Sequence, residues 1–198
     1  MKKEIAIGIT GSPGTGKKTV GKELAKLLDY DLILLNDLAI EHGKGKWAGS
    51  TFQVDTRKLA KMNIKTKGAI VVGHLLPFVV QRNKIDFVAV LRCSPFTLKQ
   101  RYSKRRYSKK KVAQNIEAEL LDLVSFSSLQ VFGRKKIAEF DTTETRPDLV
   151  AKKIVQTING TRARHYGLNT WSNKAALSSQ QLSSILSPLG SSHKERNR

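Results

Sequence analysis

Apolar residues gather in four short runs, at 5–10, 31–35, 69–72 and 87–92, with a fifth at 138–141. Runs of that length, apolar on both faces, predict strands buried on two sides, as in a parallel sheet. Between them the pattern changes period. Residues 17–28 place Val20, Leu24, Leu27 and Leu28 on one stripe, and residues 110–131 place Val112, Ile116, Leu120 and Val124 at similar helical spacing. A last helix over 146–159 starts at Arg146-Pro147 and stops before Gly160. Strand alternating with helix predicts an α/β fold of three layers, a parallel sheet covered by helices on both faces.

Charge changes the picture. Among 198 residues, 36 Lys and Arg stand against 16 Asp and Glu, a formal net charge of +20. That excess exceeds what solubility requires and points to a polyanionic partner. Nucleic acid suits it better than a membrane, since no apolar run reaches the roughly 18 residues needed to span a bilayer. The first apolar run is too short and too soon followed by Gly and Pro for a signal peptide, so a cytoplasmic location is expected. The single cysteine, Cys93, agrees with a reducing compartment and reads as a small buried hydrophobe on a strand. The segment 161–198 holds six Lys or Arg against one Glu and is dense in Ser, which predicts a basic, largely flexible tail from residue 160 onward.

The sharpest signal lies between the first strand and the first helix. Gly11-Ser12-Pro13-Gly14-Thr15-Gly16-Lys17 is a G-x-x-x-x-G-K phosphate loop in the strand-to-helix setting that makes such a match specific. Its glycines let backbone N–H groups face phosphate oxygens, the helix N-terminus adds partial positive charge, and Lys17 bridges the outer phosphates. ATP is the expected ligand. The position after the loop lysine usually carries a hydroxyl that supports Mg2+, yet here it is Lys18, and Thr19 comes one place late. An acid at the end of a central strand is also missing from Ile70-Val71-Val72-Gly73-His74. Magnesium is therefore either held differently, with Thr19 the candidate ligand and Lys18 adding charge, or the chemical step has weakened while binding persists.

The loop, Asn36-Asp37-Leu38-Ala39, Gly73-His74-Leu75-Leu76-Pro77, Val90-Leu91-Arg92-Cys93, residues 105–112 and Asn115-Ile116-Glu117-Ala118-Glu119 occur in a recognisable order. Together they resemble the nuclear and archaeal adenylate kinase family linked to small ribosomal subunit maturation. That resemblance covers roughly residues 4–159. It implies a P-loop NTPase fold of the nucleoside-monophosphate-kinase type over 1–159, with a monophosphate-binding insertion at about 36–62 and a lid at about 101–113. It also implies transfer of phosphate from ATP to AMP, ATPase activity, and partners among small-subunit ribosomal proteins and rRNA.

By the same resemblance Gly14, Gly16, Lys17, Lys18 and Thr19 contact the phosphates of ATP, alongside Gly11 and Thr15. Arg105 matches the lid arginine, with Arg106 where the family commonly has Gly, and Arg146 matches a basic residue near adenine. His74 matches a histidine that follows the family's strand acid, which is Val72 here. Lys17, Arg105 and His74 are the catalytic candidates, and residues 99–111, with eight Lys or Arg and no acid, suit a flap over triphosphate. Asp37, Arg57 and Gly73 are the monophosphate-site candidates. Asp37 reads equally as a helix cap, and Arg57 equally as a surface partner of Asp55. Three functions stay open: an adenylate-kinase-type enzyme, a ribosome assembly factor switched by ATP, and a relative that binds without turnover.

Overall fold

The computed structural model describes residues 4–49, 51–104 and 107–167. Five strands form one parallel sheet: β1 (Ile7–Gly11), β2 (Asp31–Leu34), β5 (Ala69–Val72), β6 (Phe87–Arg92) and β7 (Ile137–Asp141), in the order β2-β5-β1-β6-β7. β5 and β6 coincide with their apolar runs. The others differ from theirs by a residue or two, as expected where hydrogen bonding rather than hydropathy sets an end. Alternate side chains of these strands feed two cores. Ile7, Ile9, Ile70, Phe87, Ala89 and Leu91 face one side, where α1 (Lys17–Leu28) and α8 (Pro147–Ile158) cover them. Val71, Val88 and Val90 face the other, under α4 (Leu76–Val79) and α7 (Leu123–Phe132). Both faces are dry, which is why the strands read as unbroken apolar runs.

The span 36–62 holds α2 (Leu35–Glu41), an antiparallel hairpin of β3 (Gly45–Ala48) and β4 (Thr51–Val54), then α3 (Thr56–Ala60), with Ala39 and Leu59 buried in the same core as Val71 and Val88. The span expected as a lid is bounded by α5 (Pro95–Ser103) and α6 (Lys109–Leu120). A third, smaller core of Cys93, Leu98, Tyr102, Val112 and Ile116 holds these helices together. Cys93 is fully buried, and burial pushes its thiol up to about 11, so it behaves as the apolar filler expected of it.

One expectation needs correction. The helical pattern at 110–131 is two helices, because Asp122 takes a left-handed φ of 54° between α6 and α7 and turns the chain. Its carboxylate contacts Arg92, which also donates to Glu119 of α6 at 2.9 Å and to Glu139 of β7 at 3.0 Å. The turn is thus set by a buried cation, not by a glycine or proline. The first residues of the segment expected as a largely flexible tail from 160 lie against the core. The Glu139 N–H donates to the His165 carbonyl at 2.8 Å and the Gly167 N–H donates to the Glu139 carboxylate at 3.0 Å, so residues 165–167 lie along β7. Tyr166 packs against the core and the Arg164 guanidinium lies 5.4 Å from the Phe87 ring centre. Residues 168–198, the rest of the expected tail, are outside the described residues.

Candidate functional site: a phosphate-loop cleft

A cleft of about 470 Å³ opens where β1 and β5 end. Its floor is the phosphate loop and the Val72-Gly73-His74 segment, α2 and β4 form one wall, and α6 forms the other.

The loop's shape depends on glycine. Gly11 has φ 139°, and a Cβ there would sit 2.3 Å from the Leu91 carbonyl oxygen, so only hydrogen fits. Gly16, at φ 88°, precedes α1 and supplies no side-chain cap, and no acidic residue occupies the helix's first turn. The first N–H groups of α1 and its positive dipole end therefore face the cleft, which is what an anionic ligand needs. Thr15 is buried and donates its hydroxyl to the Ser12 carbonyl at 2.9 Å, fixing the turn from inside. The Lys17 ammonium arches back over the loop, donating to the carbonyls of Gly11 and Ser12 at 2.9 Å each.

Bracing comes from α5. Arg101 donates to the Gly14 carbonyl at 3.0 Å and to the Thr142 carbonyl at 2.7 Å, and the Tyr102 hydroxyl donates to the Pro13 carbonyl. The Thr142 hydroxyl reaches the Thr15 carbonyl at 2.9 Å. The loop is thus stitched to α5 and to Thr142 through the carbonyls of Pro13, Gly14 and Thr15.

His74 stands half-buried beside the loop. Burial first, then the ammonium groups of Lys17 and Lys111, lower its pKa from 6.5 to about 4, so it is neutral at physiological pH. Facing it across the cleft, Lys111 of α6 lies 3.5 Å from the Thr51 hydroxyl on β4 and 4.7 Å from the centre of the Tyr107 ring. Among the described residues, Lys111 thus links the two walls over the cleft. Asn115, one turn along α6, also lines it, and its Nδ2 is buried without a hydrogen-bond partner. At the mouth, Lys18 and Asp37 pair at 3.3 Å, each about 60% exposed.

Of the residues singled out from sequence, Gly11, Gly14, Thr15, Gly16, Lys17, Lys18 and Thr19 build or border the loop, and Asp37, Gly73 and His74 join them at the cleft. Asp37 does not cap α2, since it already lies inside that helix's first turn. Arg57 is exposed on α3 and does not line the cleft; its expected partner Asp55 instead caps α3 and pairs with Lys58 at 3.7 Å. Arg146 does not reach the cleft either, because it precedes the N-terminus of α8 and is drawn to Asp148 in that helix's first turn, at 3.1 Å. Arg105 is outside the described residues. Sequence reasoning gave no individual role to Arg101, Tyr102, Lys111 or Asn115. For Asn115 the available signal was its place one helical turn after Lys111, on the same face.

The donor set for a divalent cation is thin. The one carboxylate among the cleft-lining described residues, Asp37, is engaged by Lys18, and Val72 ends β5 where a P-loop enzyme usually places an acid. Thr19 contributes a hydroxyl, and no cluster of three acidic, His or Cys residues occurs among the described residues. Magnesium in nucleotide sites usually takes one or two protein carboxylates beside the substrate's phosphates, and a cleft whose one carboxylate among the described residues is already paired with an ammonium does not fit that need.

A family profile described as an AAA domain matches residues 7–122. A protein of Thermococcus gammatolerans carrying the name "Putative adenylate kinase" is 36% identical over 171 residues, covering 85% of this chain and 93% of that one. A Pyrococcus furiosus protein with the same name is 36% identical over 170 residues, covering 84% and 91%. Among solved structures, shikimate kinase from Bacteroides thetaiotaomicron aligns at TM-score 0.51 and 14% identity, over 78% of this chain and 98% of that one. Shikimate kinase from Acinetobacter baumannii aligns at TM-score 0.51 and 16% identity, over 81% and 96%. With the sheet order and the loop, these likenesses give the fold as the P-loop NTPase type of small kinases.

Proposed function

Because the chain belongs to an adenylate-kinase-like family of P-loop proteins, we propose that it transfers the γ-phosphoryl group of ATP to a nucleoside monophosphate, AMP first among them. The observation that carries this reading is the uncapped, acid-free N-terminus of α1, opening through the glycine loop onto a cleft walled by α2 and β4 on one side and α6 on the other. One side suits a donor and the other an acceptor. An oxygen of the acceptor phosphate bonds to the γ-phosphorus while the bond from that phosphorus to the bridging oxygen breaks, giving two diphosphates. The acceptor is already an anion at neutral pH, so alignment and charge matter more than proton transfer.

The chain's own groups supply both. Loop N–H groups and Lys17 hold the donor phosphates, and Lys111 reaches over the transferred group from α6; by the family resemblance Arg105 adds a further positive charge there. Neutral His74 gives a hydrogen bond without adding charge. Asp37 and Gly73 border the acceptor side. Contact between α6 and β4 across the cleft supports exclusion of water, which favours transfer over hydrolysis. Residual hydrolysis would register as ATPase activity.

The test is phosphotransfer by the purified protein from ATP to each of the four monophosphates, following diphosphate formation. Diphosphate appearing only in proportion to ATP hydrolysis, with every acceptor, would remove the kinase reading.

A second reading is favoured by the +20 charge: an ATP-driven assembly factor that touches rRNA and a small-subunit ribosomal protein in the cytoplasm. Deleting residues 168–198 should then flatten the salt dependence of RNA binding and leave ATP affinity unchanged. An unaltered salt slope would remove the tail from any RNA contact.

A further inference from the structure

We infer that the Lys18 ammonium takes over at the donor phosphates the charge-neutralising task that a divalent cation performs in other P-loop kinases, so that ATP binds here without magnesium. The inference rests on the proposed nucleotide site and concerns only how its charge is balanced. Three features carry it. The position that would offer a hydroxyl to the metal carries an ammonium instead, on the first turn of α1 and lining the cleft. Val72 at the end of β5 is apolar and 5% exposed, so the strand offers no carboxylate to a metal or its waters. The cleft's carboxylate, Asp37, already has a cation, and that cation is Lys18.

The pair explains how the ammonium is kept ready. It is solvated on both sides, and such pairs hold loosely. A polyphosphate entering against α1 carries more negative charge than one carboxylate, so it attracts the Lys18 ammonium more strongly. Lys18 therefore exchanges Asp37 for phosphate oxygen by a side-chain rotation at the cleft mouth. Lys17 and Lys111 add two more cations, so the cleft holds three ammonium groups against one carboxylate among its described lining residues. Before nucleotide enters, a dication added to that set would meet net positive charge and a single carboxylate.

Calorimetric titration of ATP into the native protein, once in magnesium and once in EDTA, reads the inference directly. The two dissociation constants should agree within about fivefold, the scale of one weak charge contact. Lys18→Thr, an exposed substitution that restores the hydroxyl, should lose about tenfold or more in EDTA and recover part of that in magnesium. Asp37→Asn should tighten ATP in EDTA by freeing the ammonium; weaker ATP binding in magnesium alone would mean Asp37 serves a metal, and would overturn the inference. So would a native protein that loses more than about fivefold in EDTA. Failure of ATP to bind in either buffer is a different result, which removes the nucleotide site itself.

Discussion

Arg92 and Glu119 are each 2% exposed, and their side chains meet at 2.9 Å where β6 runs under α6. The guanidinium is shared with Glu139, also buried, and with Asp122 at the turn. Burial alone would lower its pKa, but the surrounding carboxylates outweigh that and raise it. Removing the cation strands two buried acids. Arg92→Leu should destabilise the protein by about 3–5 kcal/mol, the usual result of breaking a buried pair from one side. Urea unfolding measures this, and a loss under about 1 kcal/mol would show that the cluster is not organising the base of α6.

Lys17→Ala should weaken ATP binding at least about tenfold, since a charge-assisted phosphate contact is worth about 1.5–3 kcal/mol. Stability should change little, because the ammonium now bonds two carbonyls that border a wet cleft. Calorimetry with unchanged affinity would contradict the role given to the loop.

His74 should make the fold acid-sensitive. Its folded pKa of about 4 lies below the ordinary 6.5, so as pH falls the unfolded chain takes the proton first. The stability tied to neutral His74 is present above pH 6.5 and drains away toward pH 4, by about 3 kcal/mol in full. Melting curves across that window should show the decline in the native protein and a flatter profile in His74→Asn. Bound ATP should raise the histidine's pKa and move the decline upward in pH.

Asn115→Leu should separate binding from stability. The native Nδ2 is buried and unpartnered, so replacing the amide with an apolar group of similar size should stabilise the free protein by about 1 kcal/mol. If a nucleotide is what the amide awaits, the same variant should bind ATP or the acceptor about tenfold more weakly. A variant that gains stability and keeps both affinities would leave Asn115 without a ligand role.

Hydropathy made the sheet and α1 legible because both are dominated by burial on a regular period. It failed at 121–122, where the break comes from Asp122 reaching Arg92, a contact between residues 30 positions apart. It failed again at α5, whose start is signalled by Ser94-Pro95 but whose basic residues read as part of the flap over triphosphate. Arg101 turns instead to loop carbonyls, by a packing that no local pattern encodes. The loop's members were legible because glycine, lysine and helix start are local requirements. Lys111 and Asn115 were not, since their value depends on α6 lying across from His74.

β7 is an edge strand, and residues 165–167 occupy part of its outer side through Glu139. A bare parallel edge is a template on which a second molecule can add its own strand. Those few residues therefore act as a guard against self-association. In dilute buffer, mutual repulsion would keep copies apart without it, since a chain ending at Asn159 still carries a formal charge of +15. At high salt, where that repulsion reaches only a few ångströms, the guard carries the burden, and a chain ending at Asn159 should precipitate first under those conditions.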